Sequence, residues 1–311
     1  MNKKYIGLII IVVIVAAGAI FLQQKTNVGS TVAVYCSSDG TLVATKPIQS
    51  HRSYCIQSDA SGKTYISKTP SSYSFSIIDD QGNTVKDFQV THTKLLHLIV
   101  VRKDLAYFEH VHPTFDNVTG LFTLSDLTLP ADGPYRIFAD FAPVGGQMDA
   151  MGMPLTATPF EDVSVGNAAA YAAQPIGTKE TTKTFDGLTV ALGMQGTPVS
   201  GMESALTFSL SQNGKPVTDL EPYLGALGHA VILREGTLDF IHAHPVEDIT
   251  AKQKGIVTFN VDFPEAGTYK VFTQFQRGGK VITTNFVITV AAGTSMPGMD
   301  MNIPAMNQSA Q

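Results

Sequence analysis

One histidine pattern occurs twice in the chain, and this duplication constrains the fold more than any other feature. His97 is followed by His110 thirteen residues later and by His112 two residues after that. The second copy has the same spacings, at His229, His242 and His244. Six of the eight histidines of the protein therefore belong to the two copies.

The repetition extends well beyond the histidines. Before them, Gly82, Val85 and Phe88 match Gly214, Val217 and Leu220 at a constant offset of 132 residues. After them, Gly133, Tyr135 and Phe138 match Gly267, Tyr269 and Phe272 at an offset of 134. Self-similarity of this kind indicates an internal duplication with a two-residue insertion. The sequence predicts repeats over residues 71–166 and 181–292, joined by a linker over 167–180.

Each copy consists of short segments rich in β-forming residues, separated by turn signals such as 80–83 and 131–134. We find no convincing amphipathic helix in either copy, and the chain has 27 glycines and 16 prolines. Six or seven short strands per repeat are typical of a sandwich. The predicted fold class is all-β, with two tandem immunoglobulin-like or cupredoxin-like antiparallel β-sandwiches.

The histidine pattern itself predicts a β-hairpin, because turn-forming residues separate two apolar segments. Residues i and i+2 of a strand share a face, so His110 and His112 point the same way. A two-residue loop brings His97 onto that face, whereas a three-residue loop turns it to the other face. Gly236 in the second turn favours a two-residue loop and therefore three converging imidazoles.

Three imidazoles with one further donor form a common copper or zinc site. We therefore predict metal ligation by both histidine trios. The alternative is that the histidines extend the apolar face that includes Ile99 and Val101, and cap a sandwich core through hydrogen bonds. Burying three imidazoles without a partner is costly, which favours the metal.

Two methionine clusters share the spacing Met-x-x-Met-x-Met. The first is Met148, Met151 and Met153, and the second is Met296, Met299 and Met301. A thioether is a soft ligand that suits Cu(I). Both clusters are predicted as auxiliary copper ligands. For the first cluster the alternative is a loop whose methionines pack onto the sandwich, whereas the tail over 293–311 has no evident core for its methionines.

The N-terminus begins with two lysines and then runs without charge from residue 5 to residue 22. Eighteen such residues as a helix span about 27 Å, close to the thickness of a bilayer's hydrocarbon core. We expect 1–30 to be a single-pass membrane anchor and tether with a cytoplasmic N-terminus; a cleaved signal peptide is the alternative. Without Lys3 and Lys4, 19 basic residues stand against 26 acidic ones, which argues against a nucleic-acid partner.

The region from 31 to 70 contains both cysteines of the protein, Cys36 and Cys55. Two cysteines outside the cytoplasm usually form a disulfide, so a small disulfide-containing module is predicted here. A copper-binding or exchange-active thiol pair is the alternative, and the lack of a Cys-x-x-Cys spacing counts against it.

The segments His97-Leu-Ile-Val-Val with His110-Val-His112-Pro113, and Tyr223–His229 with His242-Ala-His244-Pro245, resemble bacterial YtkA-like and cupredoxin-like domains. These secreted or membrane-anchored proteins often occur near copper-handling systems. The resemblance covers both repeats but not the cysteine module, and implies copper as the metal. No cysteine lies near either trio, which excludes a blue-copper site of the His₂Cys type.

Together these features predict an extracytoplasmic, membrane-anchored protein that sequesters copper or delivers it to a membrane copper transporter or oxidase. Zinc is the alternative metal. A structural or interaction protein with tandem immunoglobulin-like domains is the alternative function. A metalloenzyme is disfavoured, because Glu109 lies on the opposite strand face from His110 and has Ile241 as its counterpart.

Overall fold

The computed structural model describes residues 54–60, 62–146, 148, 154–167, 171–246 and 248–293, with the backbone of two short strands before them. The chain forms two compact units, Met1–Ala173 and Gln174–Gln311. Over the described residues both units consist of β-strands, apart from one four-residue helix. The fold is all-β and is duplicated in tandem.

Thirteen strands belong to the described part of the first unit. They are β1 (Tyr35–Cys36), β2 (Leu42–Val43), β3 (Tyr54–Ser58), β4 (Thr64–Tyr65), β5 (Ser71–Asp79), β6 (Phe88–Gln89), β7 (His97–Arg102), β8 (Phe108–Val111), β9 (Thr114–Asp116), β10 (Leu121–Leu127), β11 (Gly133–Asp140), β12 (Ala142–Pro143) and β13 (Phe160–Val165). One main sheet has the order β3-β5-β10-β9, and the other has the order β4-β13-β11-β7-β8. The sheets are antiparallel except that β4 pairs in parallel with β13.

The core of the first unit lies between these two sheets. Phe75 of β5 and Phe122 of β10 stack with ring centroids 5.3 Å apart. From the other sheet, Leu98, Val100 and Ile137 join the same cluster and are fully buried. Because side chains alternate along β7, Leu98 and Val100 point into the core, and the face that carries His97 points away from it.

The second unit repeats this arrangement. Its elements are β14 (Thr182–Phe185), β15 (Leu188–Met194), β16 (Glu203–Gln212), β17 (Lys215–Pro216), β18 (His229–Arg234), β19 (Phe240–Ala243), α1 (Ile249–Lys252), β20 (Ile256–Asp262), β21 (Gly267–Arg277) and β22 (Lys280–Val290). One sheet has the order β14-β15-β16-β17 with β20 also on β16, and the other has the order β19-β18-β21-β22. Its core contains Phe208, Ile232 and Val271.

A tyrosine stabilises the same corner in both units. The Tyr135 hydroxyl donates to the carbonyl of Ala131 at 2.8 Å, and the Tyr269 hydroxyl donates to the carbonyl of Glu265 at 2.7 Å. Both tyrosines are fully buried. A buried tyrosine that bonds the backbone a few residues upstream is a hallmark of immunoglobulin-like sandwiches.

Residues predicted to form a separate cysteine module supply strands to the first sandwich. β3 pairs with β5 and β4 pairs with β13, so the sandwich begins before residue 71. Cys55 lies on β3, is fully buried and is disulfide-bonded. The side chain of Cys36 lies outside the described residues.

Other predictions also fall outside the described residues: the N-terminal anchor over 5–22, Met151, Met153, and the tail with Met296, Met299 and Met301. Within the part of the chain that is described, no helix has the length and apolar character needed to cross a membrane. The membrane anchor therefore stays a prediction from sequence.

Candidate metal centre

The first histidine trio converges at one end of the β7–β8 hairpin. His97 Nδ1 lies 3.0 Å from His110 Nε2 and 3.1 Å from His112 Nε2. The three potential ligand atoms all lie within 4.8 Å of one another. Three nitrogens bound at about 2.0–2.1 Å to a tetrahedral ion are about 3.3 Å apart, so this spacing suits a single metal ion.

The strand register produces this convergence. Ile99 pairs with His110, and continuing the same register brings His112 opposite His97. The predicted two-residue loop is wrong in both hairpins. The Arg102 N–H donates to the Tyr107 carbonyl, and the Arg234 N–H donates to the Asp239 carbonyl, so each bond closes a four-residue loop. Since two- and four-residue loops give the same parity, the three histidines still share a face.

Local contacts in the loop explain its length. The Arg102 guanidinium pairs with the Asp104 carboxylate at 2.7 Å, and the same carboxylate accepts from the Ala106 N–H at 3.1 Å. Leu105 takes a left-handed conformation with φ 60°. Asp104 therefore stabilises a turn for which the sequence contains no glycine.

The face of β7 that carries His97 is not the core face, which counts against the alternative in which the histidines cap a sandwich core. Ile99 and Val101 share the face of His97 and lie outside the core cluster, whereas Leu98 and Val100 belong to it. All six residues of β7 are buried, so both alternating sets are apolar enough to face a core. The histidines therefore do not cap the space between the sheets.

The two ring nitrogens of His97 have three neighbours within hydrogen-bond distance. His97 Nε2 lies 3.1 Å from the carbonyl of Thr91, and a carbonyl only accepts. In the neutral ring His97 Nδ1 is then an unprotonated acceptor with a single lone pair, yet it faces two histidine nitrogens. A metal ion would accept the lone pairs of all three rings, and the Thr91 carbonyl would fix the tautomer of His97.

The protonation state of His112 agrees with ligation. Burial, with smaller contributions from His97 and the Lys94 ammonium, lowers the pKa of His112 to about 3. The ring is therefore neutral at physiological pH. Neutral imidazole is the form that binds a metal.

The second trio has a similar arrangement. Val231 pairs with His242, and His229 Nδ1 lies 3.3 Å from His242 Nε2. The ring of His244 lies 5.0 Å from that of His229 and 4.5 Å from that of His242, measured between centroids. His229 Nε2 lies 3.4 Å from the carbonyl of Leu224. Both first histidines thus have a backbone carbonyl at Nε2 and a histidine nitrogen at Nδ1.

A tight turn supplies the carbonyl in each repeat. Backbone hydrogen bonds join Thr91 to Lys94 in both directions, and Tyr223 to Ala226 in the same way. The two central residues have positive φ in both turns: 50° and 68° at His92 and Thr93, and 54° and 83° at Leu224 and Gly225. These are type I′ turns, in which glycine and asparagine are preferred.

The sequence did not identify the cross-strand neighbour of the first trio. Asp140 of β11 pairs with His97 and is 1% exposed. Its counterpart in the second repeat is Gln274, which pairs with His229. Alignment of the repeats at an offset of 134 matches these two residues, but β7 and β11 are too far apart in sequence for their pairing to be predicted.

The remaining predicted ligands are only partly described. Met148 is exposed, and the other methionines of both clusters lie outside the described residues. His92, the other histidine near this trio, is half-buried with its ring centroid 6.0 Å from that of His97. Glu109 pairs with Val100 and accepts a hydrogen bond from the Tyr107 hydroxyl at 2.6 Å, on the opposite face from the trio.

A family described as a domain of unknown function, DUF8832, matches residues 55–158 and 182–292. The chain belongs to this family. Each DUF8832 region contains one complete histidine trio, so the match supports the duplication. The matching family is not a YtkA-like or cupredoxin-like one, and its description names no metal. No curated protein matches the chain.

Three solved structures have some similarity to the chain. Fibronectin(III)-like modules of Clostridium thermocellum CbhA have 12% identity and a TM-score of 0.21, over 76% of this chain and 94% of that chain. Domains 5–6 of the S-layer protein SbsC have 14% identity and a TM-score of 0.23, over 77% and 98%. Escherichia coli alpha-2-macroglobulin has 13% identity and a TM-score of 0.25, over 77% of this chain and 14% of that chain. TM-scores this low do not identify a common fold.

Proposed function

We propose that the protein binds transition-metal ions, one in each histidine trio. The observation that carries this proposal is the position of His97 Nδ1, 3.0 and 3.1 Å from the Nε2 atoms of two other histidines. The Thr91 carbonyl already accepts from the other nitrogen of His97. Nitrogen atoms so arranged favour a cation at their centre.

Copper is the metal we propose. Imidazole is a borderline ligand that accepts copper or zinc, so the trios alone leave both metals open. The two Met-x-x-Met-x-Met clusters add soft thioether ligands, which suit Cu(I) and not Zn²⁺. Ligands of both kinds in one chain are suited to sequestering copper, or to handing it to a membrane transporter or oxidase.

The location we propose is extracytoplasmic, behind an N-terminal membrane anchor. This rests on the uncharged segment from residue 5 to residue 22 after two lysines. The disulfide at Cys55 supports an oxidising compartment.

The second candidate is a structural or interaction protein whose histidines bond to one another and to backbone carbonyls without a metal. A charged form of this arrangement would pair a His97 imidazolium with the carboxylate of Asp140, its cross-strand neighbour. The second repeat weakens this candidate, because Gln274 replaces the carboxylate while the trio persists.

Metal titration of the full chain distinguishes the candidates. We expect two histidine-dependent equivalents of Cu(I) and of Zn(II) in separate titrations, and displacement of Zn(II) by copper in competition. Changing all six trio histidines to alanine removes both equivalents. A six-alanine variant that folds, by circular dichroism, and binds as much metal as the wild type would reject the proposal.

A further inference from the structure

An open cavity of about 600 Å³ reaches the first trio from one side. Its walls include Thr93, Lys94, His112, Phe115 and Asn117. His97 and His110 are only 1% and 7% exposed, whereas His112 is half-buried. Access from the cavity to the trio is therefore through His112.

The cavity has a positive charge on its wall. Lys94 is exposed and belongs to the type I′ turn, where both its backbone N–H and its carbonyl bond to Thr91 at 3.0 and 2.9 Å. The backbone at Lys94 is thus fixed beside the trio. A cationic wall next to a metal site disfavours a further cation and favours an anion.

The second repeat has no charged side chain at the equivalent position, because Ala226 replaces Lys94. A cavity of about 220 Å³ lies beside Ala226. That cavity is lined in part by Ile249 and Lys252 of α1 and by none of the second trio's histidines. The insertion that distinguishes the second repeat lies between its trio and Gly267, in the part of the chain that contains α1.

We propose that the first metal centre accepts a small anion, of the carboxylate or inorganic class, at a fourth coordination position on its His112 side, and that the second centre does not. Three protein ligands with an open position are typical of exchanging or catalytic sites, whereas closed sites are structural. Lys94 supplies the counter-charge for the anion. This inference rests on the proposed metal function and adds a ligand class to the first site.

Azide binding to the Co(II)-loaded full chain tests this inference. One variant keeps only the first site, by changing His229, His242 and His244 to alanine; the other keeps only the second site, by changing His97, His110 and His112 to alanine. The cobalt content of each variant is measured first. We expect azide to produce a saturable change in the Co(II) absorption spectrum of the first-site variant and none in the second-site variant.

The role of Lys94 is tested in the first-site background. Lys94→Gln is expected to raise the azide dissociation constant about fivefold, the upper range for a solvent-accessible ion pair. Lys86→Gln serves as the matched control, because Lys86 bonds the Val118 carbonyl and does not line the cavity. An equal affinity in the Lys94→Gln variant and this control would reject the role of Lys94.

The outcomes separate the two proposals. If neither variant binds copper, zinc or cobalt, the metal function is rejected and this inference with it. If the first-site variant binds cobalt but does not respond to azide, or if both variants respond equally, this inference alone is rejected.

Discussion

His97 and Asp140 face each other across β7 and β11, on the buried outer side of the sheet. In the second repeat, His229 faces Gln274 in the same register. The two metal sites we propose thus have the same three imidazoles and differ by one buried carboxylate. Since a negative charge near a bound cation stabilises it, the first site is expected to hold a divalent ion more tightly.

Asp140→Asn is expected to weaken divalent metal binding at the first site about tenfold, the low end for substitutions beside a ligand. Gln274→Glu is expected to strengthen the second site. Competition titration of variants that each retain a single site measures both effects. Equal affinities in Asp140→Asn and the wild type would show that the carboxylate does not act on the metal.

The stability of the metal-free protein is expected to depend on the protonation of His112. Burial lowers the pKa of His112 to about 3 in the folded state, whereas an unfolded histidine titrates near 6.5. Between these values the unfolded state binds more protons, so the stability contribution is full above about pH 6.5 and decreases as pH falls toward 3.

Urea unfolding of the metal-free protein over this pH window measures that slope. A His112→Gln variant cannot titrate at this position and serves as the control. We expect the wild type to lose more unfolding free energy than the variant as pH decreases. Parallel pH profiles for the two proteins would contradict this prediction.

The two type I′ turns predict opposite effects of reciprocal substitutions. Thr93 has φ 68° and Gly225 has φ 83° at equivalent positions. A left-handed conformation costs a residue with a side chain about 1–2 kcal/mol, partly offset by the greater chain entropy of glycine. Thr93→Gly is therefore expected to stabilise the protein by about 0.5–1 kcal/mol, and Gly225→Thr to destabilise it by a similar amount. Chemical denaturation of both variants measures this, and changes of the same sign would argue against the turn assignment.

Neighbouring residues on β8 separate metal binding from general effects on the strand. His110→Ala is expected to abolish metal binding at the first site, because it removes one of three ligands. Glu109→Gln changes the next residue, whose side chain lies on the other face and bonds Tyr107. We expect this control to retain both equivalents of metal in equilibrium dialysis, and a comparable loss in both variants would count against the trio as a site.

Much of the candidate site follows from sequence, because strand periodicity places His110 and His112 on one face whatever else the chain does. The face of β7 that packs into the core cannot be predicted from sequence, since Leu98 and Val100 are no more apolar than Ile99 and Val101. The first type I′ turn was missed because His92 and Thr93 lack the glycine signal that Leu224-Gly225 provides. Asp140 was missed because its pairing with His97 depends on a register between distant strands.

Anomalous diffraction from the metal-loaded full chain shows whether each trio holds one metal ion. We expect one anomalous peak per trio, with the first about 2.0–2.1 Å from His97 Nδ1 and from the Nε2 atoms of His110 and His112. Anomalous peaks only at other positions, with no peak at either trio, would contradict the proposal that the trios bind metal.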